Sequence, residues 1–151
     1  PEPWATRLVQ EGGGKVLVDE RDLWPQGKYV TTHLMVATKF LKDHPDVVKE
    51  FLEGQVAAND WVNQNGAEAE TVANDEIGKI TGKPLKPEVI SAAWPNLTFT
   101  DDPIASSLLK SAQDAVDVGL LKPVDNLKGI YDLSLLNEVL KSSGGAEVSE
   151  G

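Results

Sequence analysis

Between residues 29 and 54 the chain reads "YVTTHLMVATKFLKDHPDVVKEFLEG", and its hydrophobic period changes in mid-course. Val30, Leu34, Met35, Val36 and Ala37 make residues 29–38 a nearly unbroken apolar run, the pattern of a strand covered on both faces. Beyond it Val48, Phe51, Leu52, Val56 and Val62 recur at helical spacing up to Asn65 and Gly66. Asp43 stands where an N-cap belongs, Pro45 lies in the first turn, and Asp46 suits the positive end of the helix dipole. Thr31, Thr32 and His33 interrupt the apolar run with polar groups. The pattern leaves two readings open: a place where a ligand is held, or ordinary polar residues in a strand.

The same reading divides the rest of the chain. "PEPWATRLVQEGGG" predicts a short helix, with Pro3 at its first position, Trp4 and Leu8 on one face, and Gly12 to Gly14 ending it. "KVLVD", residues 15–19, predicts a short strand, and "ERDLWPQGK" a loop broken by Pro25 and Gly27. Helices are predicted over roughly 67–80, closed by Gly82 and Pro84, and from Pro87 through "EVISAAW". "LTFT", residues 97–100, reads as a brief extended piece. "DDPIASSLLKSAQDAVDVG" is the clearest helix, with Ile104, Leu108, Ala112 and Val116 on one face and Gly119 past its end. After "LLKPVDNLKGIY", Asp132 caps a last helix through Lys141, and residues 142–151 read as a disordered tail. Two strands and a marginal third do not make a doubly covered sheet, because strands need neighbours. The fold class expected is therefore α/β and helix-rich, with the partner strands on another chain or in sequence outside this one.

Composition narrows the function. The chain has 151 residues, 40% of them hydrophobic and 25% charged, which is one globular domain's worth. With 14 basic and 24 acidic residues its formal charge is −10, which makes nucleic acid and anionic membrane surfaces poor partners. There is no cysteine, so disulfides, thiolate nucleophiles and cysteine-zinc sites are excluded. No apolar run reaches the length of a membrane span. The opening Pro1-Glu2-Pro3 lacks an initiator Met, which suggests processing or trimming.

The motif search finds little catalytic chemistry. Gly12-Gly13-Gly14-Lys15 is followed by a predicted strand, so a helix end fits better than a phosphate cradle. His33 and His44 lie on different elements and share no motif, so no metal site or catalytic residue is assigned. Asp101-Asp102 reads as a helix cap, and Asn96-Leu97-Thr98 as a sequon in form alone. Trp4, Trp24, Trp61 and Trp94 read as core or anchoring residues, Trp4 being the one beside a carboxylate. No cofactor is implied.

One resemblance orders these observations. "PEPWATRLV", "LVDERDLWPQGKYVTTHLMVATKFLKDHPDVVKEF" and "TFTDDPIASSLLKSAQDAVDVGLL" together resemble the C-terminal half of ABC-transporter substrate-binding proteins for aliphatic sulfonates, nitrate and taurine. The resemblance implies a two-lobed type II periplasmic-binding-protein fold whose N-terminal half is absent. It further implies that residues 1–28 end the second lobe, 29–38 form the crossing strand at the hinge, and 39–141 belong to the first lobe. Thr31, Thr32 and His33 would then face the cleft, with Glu2 and Trp4 touching the ligand from the other lobe. A sulfonate needs neutral donors around its oxygens and an apolar wall for its chain, roles that suit Thr31, Thr32 and Trp4. Glu2 suits an amine or a cationic pyrimidine better than an anion, or pairs across the cleft. The implied partners are a small organic anion and an ABC permease, in a periplasmic or lipid-anchored extracytoplasmic location. Unpaired edges also raise a strand-exchanged homodimer. Two alternatives stand beside this reading. One is a helical interaction domain without a small ligand; the other is a thiamine-precursor-type binding protein or enzyme on the same fold, for which only His33 is placed.

Overall fold

The computed structural model describes residues 1–123, 127 and 129–150. Seven α-helices run through them: α1 (Trp4–Gln10), α2 (Thr38–Asp43), α3 (Pro45–Gln64), α4 (Gly66–Thr81), α5 (Pro87–Ala93), α6 (Ala105–Asp117) and α7 (Ser134–Ser142). Short 3-10 turns cover Glu20–Leu23, Pro25–Gly27 and Trp94–Asn96. Part of the loop read in "LLKPVDNLKGIY", at 124–126 and 128, lies outside the described residues, as does Gly151.

Of the helix-rich α/β fold expected, the helices are present and the strand assignments are corrected. Residues 15–19, 29–38 and 97–100 were expected to be strands, yet no strand forms among the described residues. An extended segment becomes a strand only when another extended segment accepts and donates its hydrogen bonds. Two of these segments find side chains instead: the Val30 N–H donates to Ser107 Oγ at 3.2 Å, and Phe99 O accepts from Asn63 Nδ2 at 3.0 Å. Apolar side chains of the expected strands stay uncovered, Leu17 at 96% and Met35 at 88% exposed.

The predicted strand also ends in a helix. Residues 38–43 form α2, whose Phe40 and Leu41 continue the apolar run and hide the change of period in the sequence. Asp43 does not cap α3; it closes α2, and its carboxylate pairs back with Lys39 one turn earlier.

The other helix boundaries follow local chemistry. α1 ends through Gly14, whose N–H donates to Leu8 O at 2.9 Å, while Gly13 adopts φ +67. A Cβ at Gly12 would stand 2.9 Å from the same carbonyl. α4 ends on Gly82 in the left-handed region at φ +77. At the start of α6, Ile104 is itself left-handed, at φ 45, a costly conformation for a β-branched residue. Bonds on both sides hold it: its N–H donates to Asp102 Oδ1 at 2.8 Å, and its carbonyl accepts from Ser107 Oγ at 2.8 Å. Asp132 Oδ1 accepts from the Ser134 N–H at 3.1 Å and opens α7. Asp19 opens the first 3-10 turn by taking the backbone N–H and the side chain of Arg21. Those bonds hold the Asp19 carboxyl down at about 2.

The chain divides into two compact units, with one division inside α3 after Val56. Unit 1 comprises Pro1–Val18 and Ala57–Thr100. Its buried residues are Thr6, Asn59, Ala69, Val89, Ile90 and Ala93, and α5 packs on both α1 and α4. Unit 2 comprises Asp19–Val56 and Asp101–Gly151. Here Val56, Val139 and Leu140 are buried together, with Leu52, Leu136 and Val148 packed around them.

Each unit uses an asparagine as a clamp on a returning chain. Asn74 Oδ1 accepts from Leu85 N–H at 2.8 Å while its Nδ2 donates to Leu85 O at 3.0 Å. Asn137 treats Val148 in the same way, at 2.8 and 2.9 Å. The polar stretch after α7 is thereby brought back onto α7 at Val148.

Truncating Leu140 to Ala should cost about 2–5 kcal/mol, the range for deleting a buried aliphatic side chain. Denaturant unfolding followed by circular dichroism measures it. A loss under about 1 kcal/mol would mean that this cluster is not the core of unit 2.

Candidate functional site

Of the five residues singled out in the sequence, Glu2 and Trp4 lie in unit 1 and Thr31, Thr32 and His33 in unit 2. In unit 1 Glu2 stands before α1 and turns its carboxylate onto the helix. Oε2 accepts from the Thr6 N–H at 3.1 Å, and Oε1 accepts from Thr6 Oγ1 at 3.0 Å. Asn96 Nδ2 reaches the same Oε1 at 2.8 Å, from the turn that follows α5. The carboxylate thus satisfies a first-turn amide and ties α1 to the end of α5. Asn96, the asparagine of the sequon-like triplet, is committed to this contact.

Trp4 opens α1 and is 60% exposed. One helical turn on, the Arg7 guanidinium carbon lies 4.9 Å from its ring centroid, in cation–π range. Arg7 Nε is held by Glu11 Oε2 at 3.0 Å, and Glu11 Oε1 in turn takes Lys86 Nζ at 2.9 Å. The hydrogen bond from Lys86, and then that from Arg7, hold the Glu11 carboxyl below its ordinary value; the same pairing raises Lys86. Two cations share the Glu11 carboxylate, and the Glu88 charge acts on Lys86 as well.

In unit 2, Thr31 sits at a bend, and both Thr31 and Thr32 are exposed. Among the described residues their hydroxyls make no hydrogen bond. His33 is half-buried and shares a hydrogen bond of 3.0 Å between Nε2 and the Tyr131 hydroxyl. Burial pushes the Tyr131 phenol above its ordinary value, and the Glu150 charge adds to the effect. Segment 29–37 is held at two points: Ser107 binds the Val30 amide, and Tyr131 binds His33. Trp24 stacks on Tyr29 at 5.4 Å, and Lys110 Nζ stands 5.5 Å from the Trp24 ring.

Sequence reasoning missed Arg7, Asn96, Ser107 and Tyr131. The i,i+3 spacing of Trp4 and Arg7 and the i,i+4 spacing of Arg7 and Glu11 were visible signals on one predicted helix. The other three act across 77 to 98 residues of chain and left no local signal. His44 ends α2, with its ring 4.9 Å from Phe40. Among the described residues no group of three or more His, Asp or Glu is placed to hold a metal. No helix among them is long and apolar enough to cross a membrane.

Comparison with known proteins gives two matches. The model of the NMT1-like family matches residues 1–74. A Bacillus subtilis (strain 168) protein carrying the name of an aliphatic sulfonates-binding protein is 27% identical over 152 residues, covering 95% of this chain and 42% of the relative. The chain therefore spans less than half the length of the curated relative it matches. No solved structure matches it.

The Arg7–Glu11–Lys86 cluster has a definite pH signature. A carboxyl depressed in the folded state stabilises above its unfolded value, here the ordinary 4.5, and that stabilisation is lost as pH falls through the lower folded value. Carboxyl-carbon NMR titration should find Glu11 below 4.5, and Lys86→Gln should move it back up. An unmoved titration in that variant would remove Lys86 as the main cause.

Proposed function

We propose, on the premise that this chain is related to the sulfonate, nitrate and taurine binding proteins, that it is part of the solute-binding component of an importer. It captures a small organic anion such as a short alkanesulfonate and delivers it to a membrane permease, acting outside the cytoplasm. The match that keeps its order along 95% of the chain carries this reading. The relative is named for binding rather than for catalysis, which favours a receptor over an enzyme. Ligand-driven closure of two lobes is the way such a receptor presents a new surface to its permease.

Of the five residues the resemblance assigns to the ligand, Trp4, Thr31 and Thr32 are proposed as contacts and Glu2 and His33 as positioning residues. Trp4, exposed at the start of α1, supplies apolar wall for the carbon chain. The unengaged hydroxyls of Thr31 and Thr32 supply neutral donors for the anion's oxygens. Glu2 acts by fixing the first turn of α1, through its bonds to Thr6 and Asn96. His33 orients segment 29–37 through Tyr131.

Calorimetric titration of the protein as its gene encodes it, with a short alkanesulfonate, taurine and nitrate in turn, tests the reading. One of the three should bind in the micromolar range. Trp4→Ala should weaken that binding about tenfold or more, the cost of losing one aromatic wall; Thr32→Ala should weaken it by a smaller factor. Absence of heat with all three ligands would sink the anion-receptor proposal.

A further inference from the structure

The exposed Trp4 ring and the Arg7 guanidinium form one composite surface, half apolar and half cationic, on one face of α1. The geometry points to Arg7 as the residue that pairs with the ligand's anionic head while Trp4 receives its carbon tail. This assignment rests on the proposed anion-receptor function and deepens it, by naming the charge that discriminates a sulfonate from a neutral molecule of the same shape.

Three observations carry it. First, Arg7 keeps a one-third exposed side chain, at 35%, although it is in an ion pair. The ion pair uses Nε, so Nη1 and Nη2 lie outside that bond and can present a planar fork to two oxygens. Second, Arg7 does not hold the Glu11 carboxylate alone: Lys86 takes its other oxygen. In so acidic a chain, a guanidinium whose Nη atoms lie outside its ion pair is a place where an anion can be held. Third, the guanidinium is pre-positioned. Trp4 at 4.9 Å and Glu11 on Nε restrain it, which leaves less rotamer freedom to lose on binding. Of the other carboxylates nearby, Glu2 accepts from Thr6 and Asn96, which orients it onto the helix, and Glu88 acts through its charge on Lys86.

A sulfonate keeps its charge at every pH the protein will meet, and its three oxygens match a bidentate guanidinium with one oxygen left for a neutral donor. The alkyl chain attached to sulfur then runs along the indole. Head and tail therefore make separate contributions, one from each side chain.

Titrating the whole protein with methane-, ethane- and butanesulfonate separates them. In the wild type, affinity should rise by up to about fourfold per methylene added, the gain from burying one CH2. Arg7→Gln should lower affinity for all three by about tenfold or more and leave that rise unchanged. Arg7→Lys should recover part of the loss, because the charge returns without the fork. Trp4→Ala should flatten the rise with chain length. Should Arg7→Gln change affinity less than twofold while the wild type binds, Arg7 is no ligand contact and the receptor reading stands without it. Should Arg7→Gln flatten the chain-length rise as Trp4→Ala does, Arg7 serves only to position the indole, and the assignment is overturned. A wild type that binds none of the three overturns the receptor reading and this assignment with it.

Discussion

A helix satisfies its own backbone, whereas an extended segment must find its hydrogen bonds elsewhere. That difference governs the architecture of this chain. Where the sequence carries helical period, seven helices form among the described residues and close on themselves. Where it carries strand-like runs, the backbone is left to bargain with side chains, and Ser107 and Asn63 become its partners. The apolar side chains of residues 16–18 and 34–36 consequently face outward, since no second layer covers them.

The connections between helices are held by a few polar side chains rather than by a large core. Asn74 and Asn137 each grip both backbone groups of a residue eleven positions on, reproducing with one amide what a paired strand would offer. Each such bond adds only about 1 kcal/mol net, yet leaving the buried partner unpaired costs more. Glu2 and Asn96 play a related part at the start of α1, and Ser107 and His33 anchor the longest extended segment. With only small clusters of buried aliphatics in each unit, these clamps determine where the loops lie.

Electrostatics in this chain are local rather than global. The net charge of −10 would repel any anion at a distance. Near α1, Arg7 and Lys86 share the Glu11 carboxylate, and the Arg7 guanidinium lies over an exposed indole. Charges within a turn of each other interact inside the screening length at physiological salt of about 8 Å, while the distant acidic residues are largely screened.

The sequence by itself determined the helices and most of their ends, because those are set within four or five residues. Gly82 and Gly119 stop α4 and α6 where expected, Pro87 starts α5, and Asp132 opens α7. The resemblance to the anion-binding proteins likewise rests on an ordered pattern along the chain, with a family model matching residues 1–74 and a relative 27% identical. The sequence pattern misjudged residues 15–19 and 29–38, since apolar runs state a preference for burial but cannot supply the neighbour that makes a strand. Asp43 misled for a similar reason: its partner Lys39 lay in a stretch read as the end of the strand. Only the tertiary structure decided that Glu2 turns onto Thr6 and Asn96, that Val148 returns to Asn137, and that Arg7 lies over Trp4 with Lys86 behind its counter-ion. Most of these contacts join positions far apart in the chain, and sequence spacing carries no information about which distant side chains will meet.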